Sequence, residues 1–351
     1  MAKAWKAWSR WFLLAAASFA LLTFGFVVAL DPFGMRVHAG QAARPIMDIN
    51  QRYMYPQLVR SGAFDAAVVG TSTMRLIDPR ALSRDLGGHF ANLAMNAATP
   101  WEQTQTARLF RKHTPAPRWL IWGLDANWCE PDATDPAKRL TPRPVPAWFS
   151  REVRWFDWLK LMNLTNLEIA GRLFAHRIGF EPERIRGDGY EVFTPPEWSY
   201  DLARARGHIY MGNGGDPLDL SPLPTVPVPA AESAAWRFPA LEWLDGALGA
   251  YPPPTRLILV MPPSHVAAFP REGSVAGQRY GACKAAIAAL AKRRGATMVD
   301  YAHHSPVTTQ DANYWDALHF RLPIAQRVEA ELVEIAKGGA PRPDGAARVL
   351  R

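Results

Sequence analysis

The segment Ala66 to Pro79, "AAVVGTSTMRLIDP", stays apolar through Val69 and then stops at a glycine followed by Thr71, Ser72 and Thr73. A buried parallel strand ends in this way, and in α/β sheets ligands bind outside such ends. Gly, Ser and Thr are also ordinary turn residues, so on this stretch alone Ser72 is either a nucleophile or a turn residue. Four more short runs share the strand signature: "HFANLA" from His89, "RWLIWGLD" from Arg118, "TRLILVMPP" from Thr255 and "TMVDYA" from Thr297. Helical patterns cover Trp101 to Lys112, Pro239 to Ala250, Gln278 to Arg294 and Ile324 to Lys337. This alternation predicts an α/β fold with a central parallel sheet and right-handed crossovers.

The bulk properties narrow the classes. With 351 residues, 48% hydrophobic and 21% charged, the chain is globular in composition rather than disordered. A net charge of +8 raises the question of nucleic acid. Lys3, Lys6 and Arg10 stand together before the first apolar run, while the other cations are interspersed with acids and form no basic helix. Nucleic acid is therefore not an expected partner. Trp11 to Leu30, "WFLLAAASFALLTFGFVVAL", carries no charge and is long enough to cross the hydrocarbon core. It exceeds the roughly 7 to 15 residues of a signal-peptide core, and its exit "VVALDPFG" lacks a small-residue cleavage site, so it is expected to remain as an anchor. The basic residues before it orient residues 1–10 to the cytoplasm. In a bacterial host the rest is then periplasmic, tethered to the inner membrane by a single pass. Cys129 and Cys283 have no C-x-x-C or His-rich neighbour, which argues against zinc and leaves their pairing open.

The expected organisation follows: anchor 11–30, juxtamembrane connector 31–62 with a short helix near Gln51 to Arg60, α/β domain 63–129 and 231–338, insertion 130–230, and flexible tail 339–351. The insertion holds "PAWFSREVRWFDWLKLMNLTNLEIAGRLF", an amphipathic helical stretch with Trp148, Phe149, Trp155, Phe156 and Trp158. These aromatics either pack the insertion onto the core or form a lid with sugar-stacking faces, and the two roles can coexist.

A nucleophilic serine needs a base from another loop at the same sheet edge. In "NYWDALHF", Asp316 and His319 form D-x-x-H, a spacing that lets a carboxylate hold Nδ1–H of the imidazole while Nε2 takes the serine proton. A second match, Asp300 to His303, starts at the end of a strand, so spacing alone does not choose between them.

Taken in order, the blocks "VVGTST", "FANLAMNAATPWEQ", "IWGLDANW" and "YWDALHF" resemble the SGNH (GDSL-like) hydrolase superfamily over Ala66 to about Leu332, the insertion excepted. The layout is most similar to the membrane-anchored, extracytoplasmic branch that includes proteins of alginate O-acetylation and teichoic acid D-alanylation. The resemblance implies a three-layer flavodoxin-like fold and a serine esterase or O-acyltransferase acting on a cell-envelope glycan. It assigns Ser72 as nucleophile, His319 as base and Asp316 as its orienting partner. It further implies a membrane-bound O-acyltransferase as a partner, and neither a metal nor an organic cofactor. The rival reading is a degenerate, glycan-binding or scaffolding member without turnover.

Two departures bear on the oxyanion hole, expected from the backbone N–H groups of Ser72 and Ala97. Ala97 stands where the family has glycine, which restricts φ. Asp125 stands where an Asn amide is usual, and an ionised carboxylate repels a developing oxyanion. Asn127, or else Asn96, is the substitute donor. Arg75, Arg321, Trp122 and Trp128 flank these blocks and are the candidate substrate contacts, their alternatives being solvated cations and core or cleft-wall tryptophans. His265, His303 and His304 are expected at the surface or behind the site.

Overall fold

A computed structural model describes residues 1–36 and 44–350; residues 37–43, within the expected connector, and residue 351 lie outside the described residues. All five expected strands form: β1 (Ala66–Val69), β2 (Phe90–Asn92), β3 (Trp119–Gly123), β4 (Arg256–Met261) and β5 (Thr297–Asp300). They are mutually parallel, in the order β2-β1-β3-β4-β5, with Ala66 opposite both Phe90 and Trp119. Strands buried on both faces appear as unbroken apolar runs, which is why "AAVV" and "LILVM" announce themselves without alternation.

The helices are α1 (Ala2–Leu30), α2 (Gln51–Arg60), α3 (Pro79–Leu86), α4 (Pro100–His113), α5 (Leu164–Arg177), α6 (Leu202–Ile209), α7 (Ala230–Ala235), α8 (Ala240–Leu248), α9 (Val275–Arg293) and α10 (Leu322–Ala336). One sheet face packs Phe90, Ile121 and Ile258 against Leu82 of α3 and Leu332 of α10. The other packs Leu120, Leu259 and Met298 with apolar residues of α2, α4, α8 and α9. Three layers result, with the switch in strand order between β1 and β3, where the carboxyl ends leave a crevice. Helix α4 begins at a readable signal: Thr99 accepts from Glu102 N–H while Glu102 accepts from Thr99 N–H.

Two expectations are corrected. Over its described residues, 339–350, the expected tail is not free, because β6 (Arg348–Leu350) pairs antiparallel with β5, placing Val349 opposite Val299. Three residues are too few to carry a periodic signal, and only the turn held by Arg342 N–H on Glu331 and Ala346 N–H on Asp344 brings them back. The amphipathic stretch of the insertion is not one helix. A 3-10 segment spans Trp155–Leu161, and Asn163 then caps the new helix α5 through Asn166 N–H. Of the two roles left open for its aromatics, Trp148 and Phe149 take the packing one: both are buried in the core, and Trp148 Nε1 donates to Tyr53 O of α2 at 3.0 Å.

The insertion is bound to the connector and to the edge strand. Ile46 and Ile185 form an antiparallel bridge, and Asn92 N–H of β2 donates to Asp188 O at 2.8 Å. Gly189 makes that approach possible, since a Cβ there would lie 1.9 Å from Asn92 O. Cys129, just after β3, is disulfide-bonded to Cys283 of α9, which closes the question the sequence left open. Helix α1 is the one described helix long and apolar enough to cross a membrane. Its last turns pack against α5, with the rings of Phe26 and Phe174 6.1 Å apart.

Candidate active site

The chain leaves β1 through Gly70 and enters a single 3-10 turn, Ser72–Met74, whose first residue is Ser72. Three contacts hold this turn. Asn92 Nδ2 donates to the carbonyls of Met74 and Ile77, both at 2.9 Å. Met95 N–H donates to Gly70 O at 3.0 Å, stitching the second block to the first. Met74 packs where a Cβ on Gly123 would fall 2.2 Å from its Cγ, so the third block needs glycine at that position.

Asp125 supplies another support, in a role the sequence did not suggest. Its carboxylate accepts from the hydroxyls of Thr71 at 2.6 Å and Thr73 at 2.9 Å, the two neighbours of Ser72. Burial pushes its pKa above the usual carboxylate range, further than these two donors pull it back. The carboxylate thus braces the serine turn and is held in place by two donors.

From the far end of the chain comes a loop closed on itself. Tyr314 and Phe320 form an antiparallel bridge, Trp315 N–H donates to His319 O at 2.9 Å, and Asp316 and His319 lie in the turn between them. Asp316 Oδ1 accepts from Leu318 N–H at 2.8 Å and His319 N–H at 2.9 Å, while Oδ2 meets His319 Nδ1 at 2.7 Å. The N-cap of α10 is Arg321, so Asp316 orients the imidazole and does not cap the helix. Burial works upward on Asp316, but the His319 ring and the two N–H donors outweigh it and hold the carboxyl below its usual range. The loop after β4 braces this turn through His265 N–H on Ala317 O at 2.9 Å.

The two loops meet at Ser72 Oγ, 2.8 Å from His319 Nε2. With Nδ1–H given to Asp316, Nε2 is free to accept the serine hydroxyl, which is the arrangement of a serine nucleophile with an oriented base. Ser72 remains partly accessible and Ala97 is exposed, so the serine is open to a substrate.

The oxyanion candidates differ among themselves. Among the described residues no acceptor takes the N–H of Ser72 or of Ala97. Ala97 sits at φ 48°, in the left-handed region that suits glycine. Asn127 Nδ2 donates to Ala98 O at 3.3 Å, which places its amide against the second block but engages that donor. Asn96 accepts from Arg75 through its side chain and from Arg52 Nη2 through its carbonyl at 3.0 Å, so it supports the loop.

Several expected substrate contacts have other partners. Trp122 and Trp128 are fully buried in the core, and both Nε1–H groups donate to Gln103 Oε1, so neither lines the cleft. Arg75 is buried, paired with Glu191 and laid over the Phe193 ring at 4.5 Å. Arg321 pairs with Glu197 at 2.6 Å and lies over Tyr200 at 3.8 Å. Neither arginine is the solvated or substrate-facing cation expected. The insertion segment 191–197, "EVFTPPE", occupies both, and Phe193 sets its edge against the His319 ring with centroids 5.3 Å apart.

The other histidines separate cleanly. Asp300 of the second D-x-x-H pairs with Lys284 at 2.6 Å, and His303 Nε2 meets Gly345 O, so that match makes no relay. His304 lines a cavity of about 380 Å³ between α9, β6 and the loops after β4 and β5. Of its two expected places, His265 takes the one behind the site, buried between Tyr210 and Tyr314; Nδ1 accepts from Ala267 N–H, Nε2 faces Asp311, and burial lowers its pKa.

Sequence reasoning missed the buried pair of Arg52 and Glu102, at 2.6 Å, which holds Asn96 O from below, and it missed Glu191, Phe193 and Glu197. The capping box of α4 pointed to Glu102, but the irregular segment 191–197 carries no periodic signal. Compared with known proteins, the chain matches no family model, no curated protein and no solved structure. Its class is therefore defined by its own geometry: a mixed α/β protein with a parallel-dominated sheet, a long apolar N-terminal helix and a Ser-His-Asp chain at the carboxyl edge of the sheet.

Proposed function

We propose that this chain is a membrane-anchored, extracytoplasmic serine acyl-esterase or O-acyltransferase of the SGNH type, acting on a cell-envelope glycan. The observation that carries the reading is the continuous relay from Asp316 Oδ2 through both nitrogens of His319 to Ser72 Oγ, with contacts of 2.7 and 2.8 Å. The order and strand placement of the four sequence blocks support it. The apolar helix α1 supports a single-pass inner-membrane anchor, and the Cys129–Cys283 bond fits an oxidising, periplasmic compartment. The glycan and a membrane-bound O-acyltransferase partner rest on the resemblance alone.

In this reading Nε2 of His319 accepts the Ser72 proton as Oγ attacks the ester carbonyl. The N–H groups of Ser72 and Ala97 receive the oxyanion, and the imidazolium returns its proton to the departing alkoxide. A sugar hydroxyl or water then gives its proton to Nε2 and takes the acyl group, regenerating the serine. Arg75, fixed by Glu191, supports the loops and does not bind the acyl donor.

The rival reading, a glycan-binding or scaffolding protein without turnover, has one observation in its favour. The third-block carboxamide, Asn127, gives one of its two N–H groups to Ala98 O, so its side chain is turned to the second block and partly engaged. Labelling of the purified full-length protein with a serine-reactive fluorophosphonate tests both. The wild type is expected to label and Ser72→Ala is not; equal labelling of the two, or none of either, would overturn the enzyme reading.

A further inference from the structure

We propose that the insertion lies on the membrane, with α5 and the segments flanking it forming a collar that dips into the outer leaflet around the exit of α1. The inference rests on the reading of α1 as the anchor.

The uncharged run Trp11 to Leu30 is 20 residues, and at about 1.5 Å per residue it spans about 30 Å, the whole hydrocarbon core and little more. Arg10 ends the run on one side, so nearly all of it is needed to cross. Yet its last turns are already in contact with protein: Val27 and Leu30 are buried, and Phe26 meets Phe174 of α5. Arg177 Nη2 donates to Leu30 O at 3.1 Å, and Arg36, which donates to Val28 O and Ala29 O, lies over the Trp158 ring. Phe26 lies about 6 Å below Leu30 along the axis, so the part of α5 that touches it sits at the depth of the headgroup and acyl boundary.

The surface of these segments has the composition that depth requires. Trp155, Leu159, Leu164, Phe174, Ile178 and Phe180 are all exposed, with Leu164 at 85% and Phe180 at 82%. Left in water, such a patch is unusual for a protein surface. Cations stand among these side chains: Arg151, Arg154 and Lys160 all lie within 6 Å of the Phe156 ring centre, with Arg151 and Lys160 sharing the one buried carboxylate of Asp157, and Arg172 pairs along α5 with Glu168. Aromatic side chains mixed with Lys and Arg beside a spanning helix suit an interface with anionic lipid. A membrane-protein partner on the same patch is the competing occupant, and continuity with α1 favours lipid.

The test places single spin labels on the full chain in nanodiscs of phosphatidylcholine and phosphatidylglycerol containing this protein alone, without reductant so that the native disulfide persists. Labels at Leu164→Cys and Phe180→Cys report the collar, Leu14→Cys the span, and Arg84→Cys on α3, on the opposite face of the sheet, the aqueous reference. Accessibility to oxygen relative to a water-soluble nickel complex is expected to be several-fold higher at the collar positions than at Arg84→Cys. Collar labels that match Arg84→Cys while Leu14→Cys reports lipid would overturn the collar and leave the anchor standing. Aqueous values at Leu14→Cys would overturn the anchor and the collar with it.

Discussion

Ala97 holds a left-handed φ of 48° in the loop after β2, a conformation that costs a non-glycine residue about 1 to 2 kcal/mol. The position is exposed, so the strain has no packing contact to offset it. Ala97→Gly is expected to stabilise the protein by about 1 kcal/mol, since relief of strain exceeds the added freedom of glycine in the unfolded chain. A denaturant midpoint that falls instead would show that the loop does not need the left-handed geometry. At this scale the triad was legible, because Asp316 and His319 are local in sequence and the end of a buried strand is easily recognised. The role of Asp125 was not, because whether it repels an oxyanion or braces two threonines depends on which way its side chain turns. Whether Trp122 and Trp128 meet the core or a substrate was open for the same reason: a residue next to a strand end has a choice of faces, and Gln103 on α4 decides it for the core.

Among the elements, the segment 186–197 couples the insertion to the active site without regular structure of its own. Gly189→Ala would drive a Cβ into Asn92 O, so the turn must move and Glu191 and Phe193 with it. The expected result is a loss of about 2 kcal/mol or more, the range for backbone-incompatible substitutions, together with slower fluorophosphonate labelling as His319 loses its aromatic neighbour. Unchanged labelling would mean that Phe193 has no part in holding the imidazole. The contact between α3 and α10 offers a pH signature. Burial raises Glu329 from 4.5 to about 7 while its carboxylate accepts from Asp78 N–H at 2.8 Å. Between those values the folded state binds a proton that the unfolded state has released, so this group's contribution to stability falls as pH rises through that window. Glu329→Gln keeps the acceptor without the charge, and is expected to raise the melting temperature relative to wild type near about pH 8 and to leave it little changed near about pH 4, below the unfolded value. The opposite pattern would show that Glu329 gains from its charge. Helices with clear periodicity were readable within three residues of their ends, whereas α3 and β6 are short elements held by caps and turns.

For the molecule as a whole, the Cys129–Cys283 bond ties the loop after β3 to α9 across 154 residues, a span that encloses the entire insertion. Closing so long a loop removes much freedom from the unfolded chain, and replacing both cysteines by alanine is expected to cost about 3 to 5 kcal/mol. Calorimetry of the double variant in detergent checks this, and an unchanged melting temperature would show that the insertion is held by its packing on α2 and β2 alone. The bond also places the insertion between two fixed attachments: its start is bonded to the core, and α5 is packed on α1. The Ser-His-Asp edge, the insertion and α1 thus form one connected body, and the insertion touches the candidate site with Glu191, Phe193 and Glu197 and α1 with Phe174 and Arg177.

The sequence by itself determined the strand and helix alternation, the long apolar N-terminal helix, and the residues of the relay. Each is encoded locally: in uninterrupted apolar runs, in a charge-free span, and in a D-x-x-H turn whose two side chains reach one another within a single loop. Only the tertiary structure decided that Ser72 and His319 meet, that Asp125 faces two threonines, that both flanking arginines are paired with glutamates of the insertion, and that Cys129 finds Cys283. Those are encounters between residues far apart in the chain, and their geometry follows from strand order and loop packing, which no local pattern contains.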